Sequence, residues 1–343
     1  MNKVIFFVAG GTGGHLFPAI AVAKSFEKSQ SHFLVDKRTE KILLGKDFKY
    51  HVISSSKLEK NLFTIIISIF KILHGFIYSF CLILKFKPSL VVGFGGYTSI
   101  PTILAAKVLN KKILIHEQNS VMGRTNRFLS KISTKIAITY KNTIFAHKSA
   151  ILSGIPIRKL KVKKNKKNNN KKTILIIGGS QGAQVFSEII KKVLLGFDKN
   201  LLKKIFIVHQ VKKEDLKSMK NFYQNINIEF KIKSFFTDIY DEINNSDLII
   251  SRCGASTLAE IEFFKKFCIL IPLPTSANNH QFYNAVEFKK TNNCEIINQS
   301  NINNDRLVEI IKSNLFEKKI KKIQQQRKTK KLSLVNIIND MLK

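Results

Sequence analysis

Two glycine-rich runs, each placed directly after an apolar stretch, have the composition needed to hold phosphate. The first is Gly10-Gly11-Thr12-Gly13-Gly14-His15, after 4–9, and the second is Gly178-Gly179-Ser180-Gln181-Gly182-Ala183, after 173–177. Glycines let the main chain approach a phosphate, and a helix starting there presents unpaired N–H groups and a favourable dipole. Either run alone is equally a tight turn between strand and helix. Two of them, one opening each half of the chain, point to two α/β domains facing a shared cleft.

Further groups suit hydroxyl-bearing ligands. Gly254-Ala255-Ser256-Thr257-Leu258-Ala259-Glu260 has small residues for close backbone approach and a carboxylate one turn in. Glu260 either accepts from vicinal hydroxyls such as those of a ribose or stands exposed on a capped helix. Asn278-Asn279-His280-Gln281 offers amides and an imidazole, as sugar hydroxyls require, or is a plain turn. Arg158 either reaches a diphosphate or pairs with a surface acid. No Asp-x-Asp pair occurs, so no carboxylate clamp for a metal–diphosphate is expected, nor any metal or cofactor. A diphosphate leaving group would then rest on helix N-termini, backbone N–H groups and Arg158, each such donor supplying ~2.7–4 kcal/mol.

These loops need strands and helices to position them. The alternation of apolar runs with helical stretches reads as parallel βαβ units, whose ligands sit beyond the carboxyl ends of the strands. Strands are expected at 89–93 and 112–115 in the first half, leading into Phe94-Gly95-Gly96-Tyr97 and His116-Glu117-Gln118-Asn119. In the second half they are expected at 174–177, 205–208, 231–234, 248–251 and 268–272. A helix over about 18–28 would carry Pro18 in its first turn. The segment 62–86 is strongly apolar but broken by Lys71 and His74 into runs shorter than the ~20 residues of a membrane span, which predicts a buried or interfacial helix pair. The Lys/Asn-rich stretch 161–172 reads as a solvated linker, and the stretch from 320 to the end as polar, then amphipathic and helical.

Bulk composition narrows the class. At 343 residues with 44% apolar content, the chain can bury two ordinary cores. The four cysteines show no CxxC pair, which argues against a zinc site or a disulfide framework. No secretory signal pattern is expected at the N-terminus, which makes a cytoplasmic protein the default. The net charge of +35 comes without recognition motifs or stacking aromatics, so nucleic acid is not an expected partner. Compositional drift toward lysine explains most of the charge, and attraction to an anionic membrane surface follows from it.

Taken in order, the motifs resemble the MurG family of UDP-N-acetylglucosamine–N-acetylmuramyl-(pentapeptide) pyrophosphoryl-undecaprenol N-acetylglucosamine transferases. The likeness covers 10–18, 93–101, 116–127, 154–158, 178–184, 235–260 and 281–285. It implies a GT-B fold, with residues 1–158 as an N-terminal acceptor and membrane-side Rossmann-like domain and 159–325 as a UDP-sugar domain. A C-terminal helix at about 326–343 would pack back on the first domain. It implies an inverting, metal-independent transfer of N-acetylglucosamine from UDP-GlcNAc to lipid I, giving lipid II, at the cytoplasmic face of the membrane. The alternatives are a diacylglycerol glycosyltransferase or a UDP-GlcNAc 2-epimerase of related fold.

The resemblance also assigns residues. Thr12, Gly13, Gly14 and Asn119 would lie near the donor, and Arg158 and Ser180 would serve the diphosphate. Phe236 would hold the uracil through its main chain, Ala255, Ser256, Thr257, Leu258, Ala259 and Glu260 would contact sugar and ribose, and Gln281 would bind the N-acetylglucosamine. Tyr97, His116, His15 and Glu117 would face the acceptor. Inversion needs a base across from the diphosphate. His15 is the candidate, because an imidazole is the side chain suited to accept a proton near neutral pH; the alternatives are a histidine that only hydrogen-bonds the loop backbone, and Glu117 as the base. Ile155, Val211, Phe236 and His280 depart from the residues usual in the family.

Overall fold

The computed structural model describes residues 3–45, 47–56, 61–157, 171–178, 184–237, 239–317 and 332–343. The chain forms two compact units, residues 1–159 with 329–343, and residues 160–328.

In the first unit seven parallel strands, β1 (Ile5–Val8), β2 (Ser31–Val35), β3 (Lys49–Val52), β4 (Leu90–Gly93), β5 (Lys112–Glu117), β6 (Lys135–Ile138) and β7 (Ile151–Leu152), lie in the order β3-β2-β1-β4-β5-β6-β7. Central strands such as β1 and β4 are fully buried, so they carry continuous apolar runs rather than alternation. Helices α1 (Gly13–Ala23), α2 (Lys37–Leu43), α3 (Leu62–Phe86), α4 (Ser99–Val108) and α5 (Arg124–Ser130) complete the βα units. One face of the sheet buries Phe7, Phe33, Val92 and Leu114, and the other buries Phe6, Leu34, Val91 and Ile113. The C-terminal helix Leu334–Leu342 seats Leu334, Ile337, Ile338 and Met341 in the first of these clusters, and Lys112 Nζ donates to Met341 O at 2.7 Å.

The second unit repeats the plan with β8 (Lys172–Ile177), β9 (Ile205–Gln210), β10 (Glu229–Lys233), β11 (Leu248–Ser251), β12 (Cys268–Leu270) and β13 (Cys294–Ile296). All pair in parallel in the order β10-β9-β8-β11-β12-β13. Its helices are α6 (Gln184–Leu195), α7 (Lys199–Leu202), α8 (Leu216–Asn225), α9 (Ile239–Asn245), α10 (Ala255–Phe264), α11 (His280–Lys289) and α12 (Asn304–Phe316). Each unit therefore has its topological switch at its first and fourth strands, where ligands of open parallel sheets bind.

Several expectations shift. Helix α1 begins at Gly13, not near Pro18, because Thr12 O already accepts from His15 N and Leu16 N. His15 thus stands in the first helical turn, and Pro18 in the second. Strand β5 runs on through His116 and Glu117, which belong to the sheet end instead of the loop after it. All four cysteines are free thiols, three of them buried. Part of the expected linker, 161–170, and the stretch 318–331 lie outside the described residues.

The apolar segment forms one unbroken helix, α3, not a pair. Gly75 lies mid-helix, where glycine costs only about 1 kcal/mol and does not break the turn. The glycine is needed there: a Cβ would meet Ser54 O at 2.0 Å. The inward stripe of α3 buries Leu82 and Ile83 near its end and small residues before them, with Ser68 Oγ donating to Ser56 Oγ at 3.1 Å and the Ser79 and Thr102 hydroxyls 2.9 Å apart. The outward side is large and apolar, Phe63 and Phe70 being 71% and 67% exposed. By length and composition alone, residues 63–86 suffice to cross a membrane.

Candidate active site

In the first unit the site is built where β1 and β4 end. Gly96 follows β4 with φ +80, and a Cβ on it would lie 2.5 Å from Gly10 O, so only glycine lets the two loops touch. Gly10 O accepts a hydrogen bond from His15 Nδ1 at 2.8 Å. A carbonyl cannot donate, so the Nδ1 proton is fixed and the lone pair of the neutral ring sits on Nε2. That nitrogen borders the second loop, 3.4 Å from where a Gly95 Cβ would be. Thr12 and Gly14 are exposed at the start of α1, while Gly13 is buried against Phe17. Tyr97 is half-buried on the second loop.

A carboxylate that the sequence reading passed over secures the first loop. Asp36 Oδ2 accepts from Gly11 N at 2.7 Å, and Oδ1 accepts from Arg38 N, Thr39 N and Thr39 Oγ1 at 3.1, 2.9 and 2.9 Å. Arg38 Nη2 lies 3.2 Å from Oδ2. Burial pushes the Asp36 carboxyl up, but the hydrogen bonds from Thr39 and Gly11 and the Arg38 charge outweigh it and hold it below its ordinary value. The signal for Asp36 was the D-x-x-T capping pattern after an apolar run.

Glu117, at the end of β5, has its carboxylate occupied by donors from its own loop. Oε1 accepts from Asn119 N and Nδ2 at 3.0 and 3.1 Å, and Oε2 from Gly123 N and Asn126 Nδ2 at 3.0 and 2.8 Å. His116 is wholly buried, donating from Nε2 to Gly154 O at 2.9 Å and accepting at Nδ1 from Gln118 Nε2 at 3.0 Å. Burial lowers its pKa to about 4, so it is neutral and ties β5 to the end of β7.

In the second unit β11 leads through Arg252 and Cys253 to α10, whose N-cap is Gly254. The first-turn residues Ala255, Ser256 and Thr257 follow, with Leu258 buried and Ala259 and Glu260 half-buried. Tyr240 donates its hydroxyl to Glu260 Oε1 at 3.2 Å. Gln281 Oε1 accepts from Cys253 N at 3.2 Å and Leu273 N at 3.0 Å, joining the loops after β11 and β12. Its Nε2 has no protein partner among the described residues and stays available as a donor. Phe236 buries its ring in the core cluster that also holds Ile177 and Val208. Arg158, Ser180 and the rest of the second glycine loop, 179–183, lie outside the described residues.

Two positioning groups were not legible in the sequence. Arg252 Nη1 donates to Ile271 O and Pro272 O at 3.0 and 3.1 Å and Nη2 to Gln299 Oε1 at 2.7 Å, with its guanidinium 5.1 Å from the Phe186 ring. Asn284 Nδ2 donates to Cys253 O at 3.0 Å. Among the described residues no cluster of three or more His, Cys, Asp or Glu forms a metal site.

Residues 5–138 match the glycosyltransferase family 28 N-terminal domain and residues 173–341 its C-terminal domain. The chain is 36% identical to the UDP-N-acetylglucosamine–N-acetylmuramyl-(pentapeptide) pyrophosphoryl-undecaprenol N-acetylglucosamine transferase of Rickettsia bellii, over 99% of this chain and all of the relative. It is 34% identical to the protein of the same name from Rickettsia canadensis, again over 99% and 100% of the two chains. Among solved structures, MurG of Acinetobacter baumannii superposes with a TM-score of 0.72 at 26% identity, covering 92% of this chain and 91% of that one.

Proposed function

The chain belongs to glycosyltransferase family 28, among the MurG transferases, and on that premise we propose that it moves N-acetylglucosamine from UDP-GlcNAc to lipid I and forms lipid II. The observation that carries the substrate reading is likeness over the whole length, including both glycine loops, to relatives named for that reaction.

His15 is the base in this reading. Its Nε2 lone pair takes the proton of the acceptor hydroxyl as that oxygen bonds to the anomeric carbon. The bond to UDP breaks, and UDP leaves with the electron pair, inverting the centre. Glu117 holds the loop carrying Asn119, Gly123 and Asn126 rather than moving a proton, since four N–H groups already occupy its oxygens. His116, buried with both nitrogens engaged, serves the acceptor side by fixing Gly154 and Gln118. Tyr97, Thr12 and Gly14 line the approach to His15.

On the donor side, Gln281 Nε2 donates to the sugar, the residues from Ala255 to Glu260 contact sugar and ribose with Glu260 accepting from ribose hydroxyls, and Arg158 and Ser180 serve the diphosphate. The departing charge is met by N–H groups and the Arg158 guanidinium. No metal or cofactor is invoked. The exposed apolar side of α3, with Lys71, Lys85 and Lys87 exposed along it, rests on the anionic cytoplasmic face of the membrane, which places the enzyme peripherally beside its lipid acceptor.

Labelled UDP-GlcNAc offered with lipid I, and separately with diacylglycerol, tests this. Label should enter lipid II only, at the same rate with and without a chelator. Transfer to diacylglycerol alone, or abolition by chelation, overturns the reading.

A further inference from the structure

One peptide unit joins the proposed base to a buried carboxylate. The bond between Gly10 and Gly11 offers its C=O to His15 Nδ1–H at 2.8 Å and its N–H to Asp36 Oδ2 at 2.7 Å. Both contacts act on the same conjugated amide. Donating the N–H to an anion draws electron density toward the carbonyl oxygen, which becomes a stronger acceptor, and hydrogen bonds in such chains polarise one another. A stronger acceptor at Nδ1–H favours the imidazolium that forms when Nε2 takes a proton. In hydrolase triads an aspartate acts directly on the imidazole to the same end.

We propose that Asp36 is a positioning residue for the transfer reaction, orienting and raising the basicity of His15 through the Gly10–Gly11 peptide. This rests on the reading of His15 as the base. The Nδ1 proton stays on the ring throughout, and Asp36 remains a carboxylate. The surroundings are built for the contact. Thr98 Oγ1 lies 3.4 Å from Asp36 Oδ2 and would be only 2.0 Å from a Cβ on Gly10, so the peptide is clamped from the α4 side as well. Around His15 lie Asp36, Arg38 on α2, Tyr97 on the loop after β4, Glu117 behind Asn126, and neutral His116 at the end of β5. Arg38 competes with the Gly11 N–H for Oδ2, and its side chain is 72% exposed, so it is a dispensable brake on the relay.

Nitrogen-15 NMR of the histidine-labelled full chain tests this, with the His15 signals assigned by their loss in His15→Ala. The wild type should show His15 in the Nδ1–H form. Asp36→Asn should move its titration midpoint down, and Arg38→Ala, which folds because the residue is exposed, should move it up. Asp36→Asn should also lower kcat about 10- to 100-fold, the range seen when an outer partner of a metal-bound imidazole is lost, without raising KM for UDP-GlcNAc. In a His15→Ala background Asp36→Asn should have no further effect on kcat. An unchanged midpoint in both single variants, or an undiminished loss in the His15→Ala background, overturns the relay. If His15→Ala stays active while the midpoints shift as stated, the relay exists and the base assignment alone fails.

Discussion

Asn126 Nδ2 reaches Glu117 Oε2 at 2.8 Å, and this contact closes the loop after β5 on the end of its own strand. With Gly123 N on the same oxygen and Asn119 on the other, Glu117 acts as a four-way acceptor. Glu117→Gln replaces one oxygen by an NH2 that must face a donor. The variant should lose about 1–3 kcal/mol of stability, the cost of an unsatisfied buried polar group, and some kcat, while keeping the acid limb of its pH–rate profile. Thermal melts and the profile check it; a vanished acid limb makes Glu117 the base.

Gln281 separates structure from recognition. In Gln281→Glu an oxygen still accepts from Cys253 N and Leu273 N, but the donor is gone. Stability and UDP affinity should hold while KM for UDP-GlcNAc rises about tenfold or more, on the ~1–3 kcal/mol scale of a lost polar contact. Equal weakening of UDP and UDP-GlcNAc binding would show that the side chain only braces the loops.

Glu260→Ala should lower UDP affinity by a similar factor, since ribose hydroxyls lose their acceptor. Calorimetry with UDP reads this, and unchanged affinity in a folded variant removes the ribose role.

Acid should destabilise the fold early. Burial lowers His116 to about 4 and His209 to about 3, both below the unfolded value of 6.5. The unfolded chain therefore binds more protons as pH falls from 6.5 toward those values. The contribution of these residues is complete above pH 6.5 and is lost on acidification, each steepening the dependence by up to about 1.4 kcal/mol per pH unit. Melting temperature should fall from pH 7 to 5; a flat dependence there contradicts the burial argument.

On α3 the two sides should respond differently. Phe70→Ser and Ile77→Ser, both at exposed positions, should weaken binding to anionic vesicles and leave stability unchanged. Raising salt from 0.1 to 1 M should weaken binding too, as the Debye length falls from ~10 to ~3 Å. Gly75→Ala should destabilise the unit, because its Cβ has no room beside Ser54 O. Equal binding to neutral and anionic vesicles would remove the electrostatic part.

What the sequence made legible follows from how local each signal was. Buried parallel strands announce themselves as apolar runs, so β4, β8 and β11 lie within a few residues of their expected places. Strands β2, β3, β6, β7 and β13 did not: His32, Lys49, Lys135 or Glu295 opens or interrupts the run in four of them, and β7 has only two residues. The start of α1 was misplaced because Gly13-Gly14 is a poor helix former, overridden by Thr12 O accepting from His15 and Leu16. The glycine loops were visible as motifs. Asp36 was legible only as a helix cap, through its D-x-x-T spacing; its contact with Gly11, and the contacts of Asn126, Arg252 and Asn284, join residues distant along the chain, and no spacing rule reveals such partners. The bounds 62–86 were legible, but the continuity of α3 as one helix was missed because Lys71 lies on its exposed side, where a charge need not interrupt the helix.

Whether His15 takes the proton from the acceptor hydroxyl is tested most directly by kcat of His15→Ala as a function of pH, with lipid I and labelled UDP-GlcNAc at saturation. If it does, kcat falls by ~10²–10⁴, the usual effect of losing a general base, the acid limb flattens, and UDP affinity stays nearly that of the wild type. A variant that keeps kcat within a few-fold and retains its acid limb contradicts it.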